Sequence, residues 1–168
     1  MEIKYSAEKL AELLIKSGAD VNIPTDDQIA IIESLHEGPS LIIAGAGSGK
    51  TETMSARVIW LVANGFVTPD QVLGLTFTRK AAGELTVRIR KRLRQLKRAG
   101  ALPDPNIELS ANVSTYHSYA GKVLSEHAIR IGIDVSGEPL GEAAVWQLAS
   151  NIVNNYSGDM SAIEHGPD

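Results

Sequence analysis

Residues 44–51 read Ala-Gly-Ala-Gly-Ser-Gly-Lys-Thr, and they indicate the fold more strongly than any other part of the chain. They follow an apolar run, Leu41 to Ile43, and precede a helical pattern that continues to Asn64. A phosphate-binding loop requires this order of strand, loop and helix. Glycines at alternate positions let the backbone curl and point its amide hydrogens inward, and the N-terminus of the following helix adds to the attraction for anions.

Two side chains at the end of this loop predict its ligand. Lys50 supplies a positive charge that can reach the β and γ phosphates, and Thr51 a hydroxyl that can ligate Mg²⁺. The first position of the strict pattern is glycine, and the small Ala44 stands there. The plainer alternative is a glycine-rich turn with a solvated lysine. We predict a nucleoside triphosphate with Mg²⁺, bound by Ala44, Gly45, Ala46, Gly47, Ser48, Gly49, Lys50 and Thr51.

Gln28 has two possible roles. It lies three residues after Thr25, so its default role is the second half of a helix capping box. Its amide, which both donates and accepts, could instead recognise the edge of adenine. Spacing alone favours the cap, but its place on a helix just before the phosphate loop makes us predict the adenine contact.

Composition limits the class of protein. The chain has 168 residues, of which 43% are apolar, as expected for one soluble domain or most of one. It has no cysteine, which excludes disulfides and thiolate metal sites. No apolar run approaches the length that spans a bilayer, and the charged N-terminus does not resemble a secretory signal. These features predict a cytoplasmic protein with no membrane association.

The charge of the chain is segregated, although its net value is only −4. Nine of its 16 basic residues and one of its 20 acidic residues lie between Arg79 and Arg98. A charge run is usually the solvated face of a helix, and that is the simplest interpretation of Arg88 to Arg98.

Further apolar runs predict a parallel sheet. Val72 to Phe77 is apolar enough for a strand buried on both faces, and with Leu41 to Ile43 and the helix between them it predicts a right-handed βαβ unit. Val113 to Thr115 predicts a third, short strand. Ligands bind at the carboxyl ends of such strands.

Side chains suited to nucleic acid follow two of these strands. Aromatic rings can stack unpaired bases, and basic and hydroxyl groups can hold phosphates. Tyr116 and His117 could equally be structural residues. The candidate DNA contacts are Phe77, Thr78, Arg79, Lys80, Thr115, Tyr116 and His117.

Apolar periodicity and capping residues predict the helices. One spans residues 6–17 with Ser6 as N-cap, and a second begins at Thr25, buries Ile29, Ile32 and Leu35, and closes at Gly38. Further helices are predicted over residues 119–130 and 141–155, and residues 76–82 lead into another that runs to about Lys97. The helix ending near Lys97 has the apolar stripe Leu85, Ile89, Leu93 and Leu96.

Taken together, these motifs resemble the start of a superfamily 1 DNA helicase of the UvrD/Rep type. The phosphate loop is similar to motif I of that family, Thr-Phe-Thr-Arg-Lys-Ala-Ala at 76–82 to motif Ia, and Ser-Thr-Tyr-His-Ser-Tyr-Ala at 114–120 to the next DNA-contacting motif. Arg79, Tyr116 and Tyr119 replace the residues common in the family and resemble actinobacterial members.

The resemblance implies an ATP-dependent DNA helicase that moves 3′ to 5′ on single-stranded DNA and unwinds duplex junctions in repair or recombination. ATP and Mg²⁺ would bind between two RecA-like lobes, normally of one chain. The implied fold class is α/β: an incomplete P-loop NTPase (RecA-like) parallel sheet flanked by helices. Its expected parts are an N-terminal helix (1–20), a partial ATP-binding lobe (21–118) and the start of a helical subdomain (119–168).

The sequence also departs from the family. No apolar strand ending in an Asp-Glu pair follows Ser114, and Asp134, which lies between predicted helices, is no substitute. Such an acid and arginines from a second lobe are needed for hydrolysis. We therefore expect a truncated N-terminal part that binds ATP and DNA without turnover. The alternatives are a non-catalytic DNA- or partner-binding module and, against the DNA-contacting motifs, a small P-loop kinase.

Overall fold

The computed structural model describes residues 3–35, 38–45, 47–132 and 140–158. The chain divides into two units, Met1–Val123 and Leu124–Asp168. Its elements are α1 (Ala7–Lys16), α2 (Asp26–Ile32), α3 (Lys50–Ala63), β1 (Leu73–Thr76), α4 (Arg79–Arg98), β2 (Asn112–Thr115), α5 (Tyr116–His127) and α6 (Glu142–Asn155), with short 3₁₀ helices at Pro69–Gln71 and Ala128–Ile131.

The helix starts follow the predicted caps. The Ser6 hydroxyl accepts a hydrogen bond from the Lys9 amide at the start of α1, and Thr25 forms the capping box of α2. α2 ends earlier than predicted, because the Arg57 guanidinium donates to the carbonyls of Ile31 and Ile32 at 2.6 and 3.1 Å and satisfies the end of the helix there. Leu35 therefore lies outside α2 and is half exposed, which corrects its place in the buried stripe.

The sheet of the first unit is parallel, as predicted, and pairs β1 with β2 from Leu73–Asn112 to Thr76–Thr115. Gly74 faces Val113 so closely that a Cβ atom at Gly74 would lie 3.2 Å from the valine Cγ2. α4 packs on both strands, which makes β1, α4 and β2 a βαβ unit.

Two predictions about strands were wrong. Leu41 to Ile43 is not a strand, and the side chains of Leu41 and Ile43 are 85% and 87% exposed. The sheet of the described residues contains β1 and β2 alone, so this segment has no ladder partner. β1 is not buried on both faces either: Leu73 is 46% exposed, and the next three residues are half-buried.

The core lies between α1, α3 and α4. The predicted stripe of α4 is confirmed: Leu85, Ile89, Leu93 and Leu96 are all buried. From α3, Trp60 is fully buried, stacks on Phe66 with 5.3 Å between ring centroids, and donates its indole N–H to the Tyr5 carbonyl at 2.9 Å.

The second unit contains the end of α5 and α6. α6 begins after Gly141, as predicted, and several of its apolar side chains, including Val145, Trp146 and Ile152, are exposed. In the described part of the chain, no helix has both the length and the apolar character needed to cross a bilayer.

Candidate functional site

The loop that leads into α3 has the backbone of an anion cradle. Gly47 and Gly49 have φ angles of 80° and 82°, in the left-handed region that glycine adopts without strain. Gly49 is the N-cap of α3, and no side chain caps this helix end. The first turn therefore has no side-chain cap for its amides, at a helix end where the dipole favours negative charge. Ala46, one of the predicted contacts, lies outside the described residues.

The Lys50 side chain folds back over this loop. Its ammonium donates to the carbonyls of Ala44 and Gly45 at 2.8 and 2.6 Å, so it lies against the loop, although the residue is exposed. Thr51, the next residue, is exposed in the first turn of α3. A cation, free helix amides and a hydroxyl at one place are the groups that a Mg²⁺-bound triphosphate requires, so these residues fit that ligand.

Gln28 performs the capping role and also touches the loop. Its Oε1 accepts from the Thr25 amide at 3.1 Å, and its Nε2 donates to the Ser48 carbonyl at 3.4 Å. A Cβ atom at Gly49 would lie 3.1 Å from the Gln28 Nε2. The capping box is thus present, and the adenine contact stays a prediction.

A cavity of about 500 Å³ adjoins this side of the loop. Gln28, Ser48 and Gly49 line it at the loop, and residues 20–25 and α1 line it elsewhere. The cavity therefore borders the predicted adenine contact and the glycine-rich loop together.

Two arginines of α4 hold the first turn of α3. Glu52, the residue after Thr51, accepts from Arg92 at 2.5 Å and from Arg88 at 3.3 Å. Arg92 is 6% exposed and also donates to the Ser55 hydroxyl at 2.9 Å. For these two residues the solvated-face interpretation was wrong. Helical position gave a signal for Arg92 alone: at 100° per residue it lies about 20° from the stripe residue Leu85. Arg88 is no nearer to the stripe than the exposed Arg90, so the sequence contains no such signal for it.

Replacing Arg92 with methionine is expected to destabilise the fold by about 1–3 kcal/mol. The loss stays below that of a fully buried pair because Glu52 is 38% exposed and water can solvate its carboxylate. Urea unfolding monitored by circular dichroism measures this. The control is Arg94→Met, two residues along the same helix and exposed. In the double variant Arg92→Met with Glu52→Gln, the loss of stability should be smaller than the sum of the two single losses. A loss equal to that sum would contradict the pairing.

The predicted DNA contacts meet at the carboxyl ends of β1 and β2. Because Thr76 pairs with Thr115, the residues that follow them are neighbours. The rings of Phe77 and Tyr116 lie 5.2 Å apart between centroids, at an interplanar angle of 40°. Phe77 is 89% exposed and Tyr116 is 48% exposed. Two aromatic faces thus stand together in solvent at the strand ends.

The other predicted contacts differ in their accessibility. Arg79, Lys80 and His117 are exposed. Thr78 caps α4, since its hydroxyl accepts from the Ala81 amide at 3.1 Å. Thr115 is buried, and its hydroxyl accepts from the Ser118 amide at 3.1 Å, so α5 begins at Tyr116 and not, as predicted, at residue 119.

The sequence matches the family model of the UvrD/REP helicase N-terminal domain over residues 25–164. The chain belongs to this family. It is 41% identical over 128 residues to the ATP-dependent DNA helicase PcrA of Staphylococcus aureus (strain Mu50), an alignment that covers 76% of the chain and 16% of the relative. PcrA of Leuconostoc citreum is 34% identical over 123 residues, 73% of the chain and 15% of the relative.

A mycobacterial relative is similar over a shorter region. The ATP-dependent DNA helicase UvrD1 of Mycobacterium leprae (strain TN) is 39% identical over 99 residues, which are 58% of the chain and 11% of the relative. The chain thus spans about one sixth or less of the length of these curated helicases.

Proposed function

We propose that this chain is the nucleotide- and DNA-binding N-terminal part of an ATP-dependent DNA helicase of DNA repair or recombination, with a cytoplasmic location. The single observation that carries the proposal is the pairing of Phe77 with Tyr116 in solvent, in a chain that also has a phosphate loop closed by Lys50. The helicase family and the ATP-dependent relatives support it.

The nucleotide half of the proposal assigns roles to the loop. The amides at the start of α3 bind the phosphates, Lys50 exchanges the carbonyls of Ala44 and Gly45 for phosphate oxygens, and Thr51 ligates Mg²⁺. Gln28 orients the base from beside the loop. Bound ATP with Mg²⁺ supplies a cleavable phosphoanhydride. The hydroxyl of Thr51 is the metal ligand that we propose, because it follows Lys50 at the end of the loop and is exposed.

The DNA half of the proposal assigns the strand ends to a single strand. Phe77 and Tyr116 stack on unpaired bases, while Arg79, Lys80 and His117 hold its phosphates. Thr78 and Thr115 act mainly through the helix starts that they cap. The first turn of α4 contains Arg79 and Lys80 and no acid, so two positive charges lie at the positive end of the helix dipole. A phosphate bound there would offset this repulsion.

In the complete helicase, we propose that residues 21–118 form part of a first RecA-like lobe, preceded by the helix of residues 1–20, and that residues 119–168 begin a helical subdomain. Translocation 3′ to 5′ then requires the second lobe, which closes on the nucleotide. The 168-residue chain by itself should bind nucleotide and DNA without turnover.

Replacing Phe77 with alanine is expected to weaken binding of a fluorescein-labelled dT₁₂ by roughly 5- to 100-fold, because stacking on one aromatic ring contributes about 1–3 kcal/mol per base. Fluorescence anisotropy measures this, and Tyr116→Ala should have an effect of the same order. The control is Tyr156→Ala, an exposed aromatic of the second unit. Equal affinities for the wild type and all three variants would exclude the proposed DNA track.

A non-catalytic binding module is the second candidate function. The exposed cations of α4 favour it, since they could bind DNA without nucleotide. One measurement distinguishes the two candidates. For a helicase fragment, DNA affinity should depend on ATP and Mg²⁺; for a non-catalytic binding module, it should not.

A further inference from the structure

Seven basic residues of α4 lie on one face of this helix. At 100° per residue, they fall within an arc of about 120°, opposite the buried stripe. All seven are exposed. We call this face the basic ridge; its members are Arg79, Lys80, Arg90, Lys91, Arg94, Lys97 and Arg98.

The ridge is distinct from the cations that the fold uses for itself. Arg88 and Arg92 turn inward to Glu52, and among the described residues these are the ion pairs in which α4 takes part. Arg90 makes one long contact to the Ser110 hydroxyl, 3.4 Å. Like charges such as Arg90 and Arg94, four residues apart on a helix, repel one another. The ridge thus lowers helix stability unless a counter-charge is present.

The length and composition of the ridge indicate the ligand. A helix of 20 residues is about 30 Å long, which matches roughly nine base pairs of duplex DNA. No aromatic side chain occurs in α4, so the ridge offers no surface on which unpaired bases could stack. Its groups suit phosphates, which a duplex presents in a continuous row.

We propose that the basic ridge binds the phosphate backbone of duplex DNA, without sequence preference and without nucleotide. Its first members, Arg79 and Lys80, follow Phe77 after one residue, Thr78, and also belong to the proposed single-strand site, so the ridge overlaps the end of that site. A duplex lying along α4 would therefore place its junction at the aromatic pair. This inference rests on the second candidate function and deepens it, since it names duplex DNA as the ligand of the exposed cations of α4. The binding requires neither the phosphate loop nor the rings.

The test uses the 168-residue chain and a blunt, labelled 20-base-pair duplex. Replacing Lys91, Arg94 and Arg98 together with glutamine should weaken binding at least tenfold at 50 mM salt and lower the slope of log K against log salt by about 2–3, since each phosphate contact contributes about 0.9. The matched control replaces Lys4, Lys9 and Lys16 with glutamine, which removes the same charge from a different surface. It should change the affinity less than twofold.

Each other outcome has a defined meaning. An equal loss in the control would show a net-charge effect and overturn the proposal, as would a wild type that binds labelled dT₁₂ but not the duplex. If circular dichroism shows that the triple variant is unfolded, Arg94→Gln alone should lower the slope by about one unit, and an unchanged slope would overturn the ridge. Adding ATP and Mg²⁺ should leave duplex binding unchanged, which separates this inference from the proposed helicase function, whose DNA affinity depends on nucleotide.

Discussion

Replacing Lys50 with alanine is expected to weaken nucleotide binding by roughly 10- to 100-fold, because hydrogen bonds to charged groups contribute about 1.5–3 kcal/mol. Its ammonium is held against the loop by the carbonyls of Ala44 and Gly45, next to the uncapped start of α3. Titration of a fluorescent ATP analogue with Mg²⁺ measures the change.

Two controls define this experiment. Lys16→Ala removes an exposed lysine from the last turn of α1 and should leave the affinity unchanged. Thr51→Ala should remove the part of the affinity that Mg²⁺ adds. An unchanged titration for Lys50→Ala would refute the phosphate loop. In the same samples, phosphate release by the wild-type chain should stay at background, and steady hydrolysis would contradict the proposed lack of turnover.

Replacing Trp60 with alanine is expected to cost about 3–5 kcal/mol of folding free energy, as for other fully buried aromatic residues. The indole is completely buried, stacks on Phe66 and donates to the Tyr5 carbonyl, which would keep only the Asn64 side-chain amide as a donor. Since small domains are stable by only about 5–15 kcal/mol, much of the chain should unfold at moderate urea concentrations. Urea unfolding followed by circular dichroism at 222 nm measures this loss.

The chain offers a matched control for this experiment. Its other tryptophan, Trp146 on α6, is 70% exposed, so Trp146→Ala should change the free energy of unfolding by less than about 0.5 kcal/mol. Similar losses for the two variants would contradict the central position of Trp60. Trp60→Phe, which keeps a ring but removes the hydrogen bond, should lie between the wild type and Trp60→Ala.

Local features were predictable because their interactions join residues that are close in the chain. The caps at Ser6 and Thr25 depend on hydrogen bonds from amides three residues ahead. The buried stripe of α4 follows from helical periodicity, and the left-handed glycines at 47 and 49 follow from the loop pattern. The order of β1, α4 and β2 could be read in the same way.

Features that depend on distant residues were not predictable. The sequence shows that Leu41 to Ile43 is apolar, but it does not show whether this segment pairs. A strand has no internal hydrogen bonds, so its formation depends on other strands. Glu52 and Arg92 are 40 positions apart, and the basic run alone did not show that two of its members turn inward. The contact of Arg57, on α3, with the end of α2 was also not predictable, and Leu35 lies beyond that end and is exposed.

For this chain, the amino-acid order was sufficient for the family, the glycine conformations of the loop before α3, the helix starts and the side chains at the ends of two strands, because each is encoded in short motifs or in periodicity. Packing in three dimensions was needed to bring Phe77 beside Tyr116, to place Gln28 over Gly49, and to divide the arginines of α4 into an inward pair and an outward ridge. These contacts arise only when strands pair and helices pack, since their energies depend on distance and burial and not on separation along the chain.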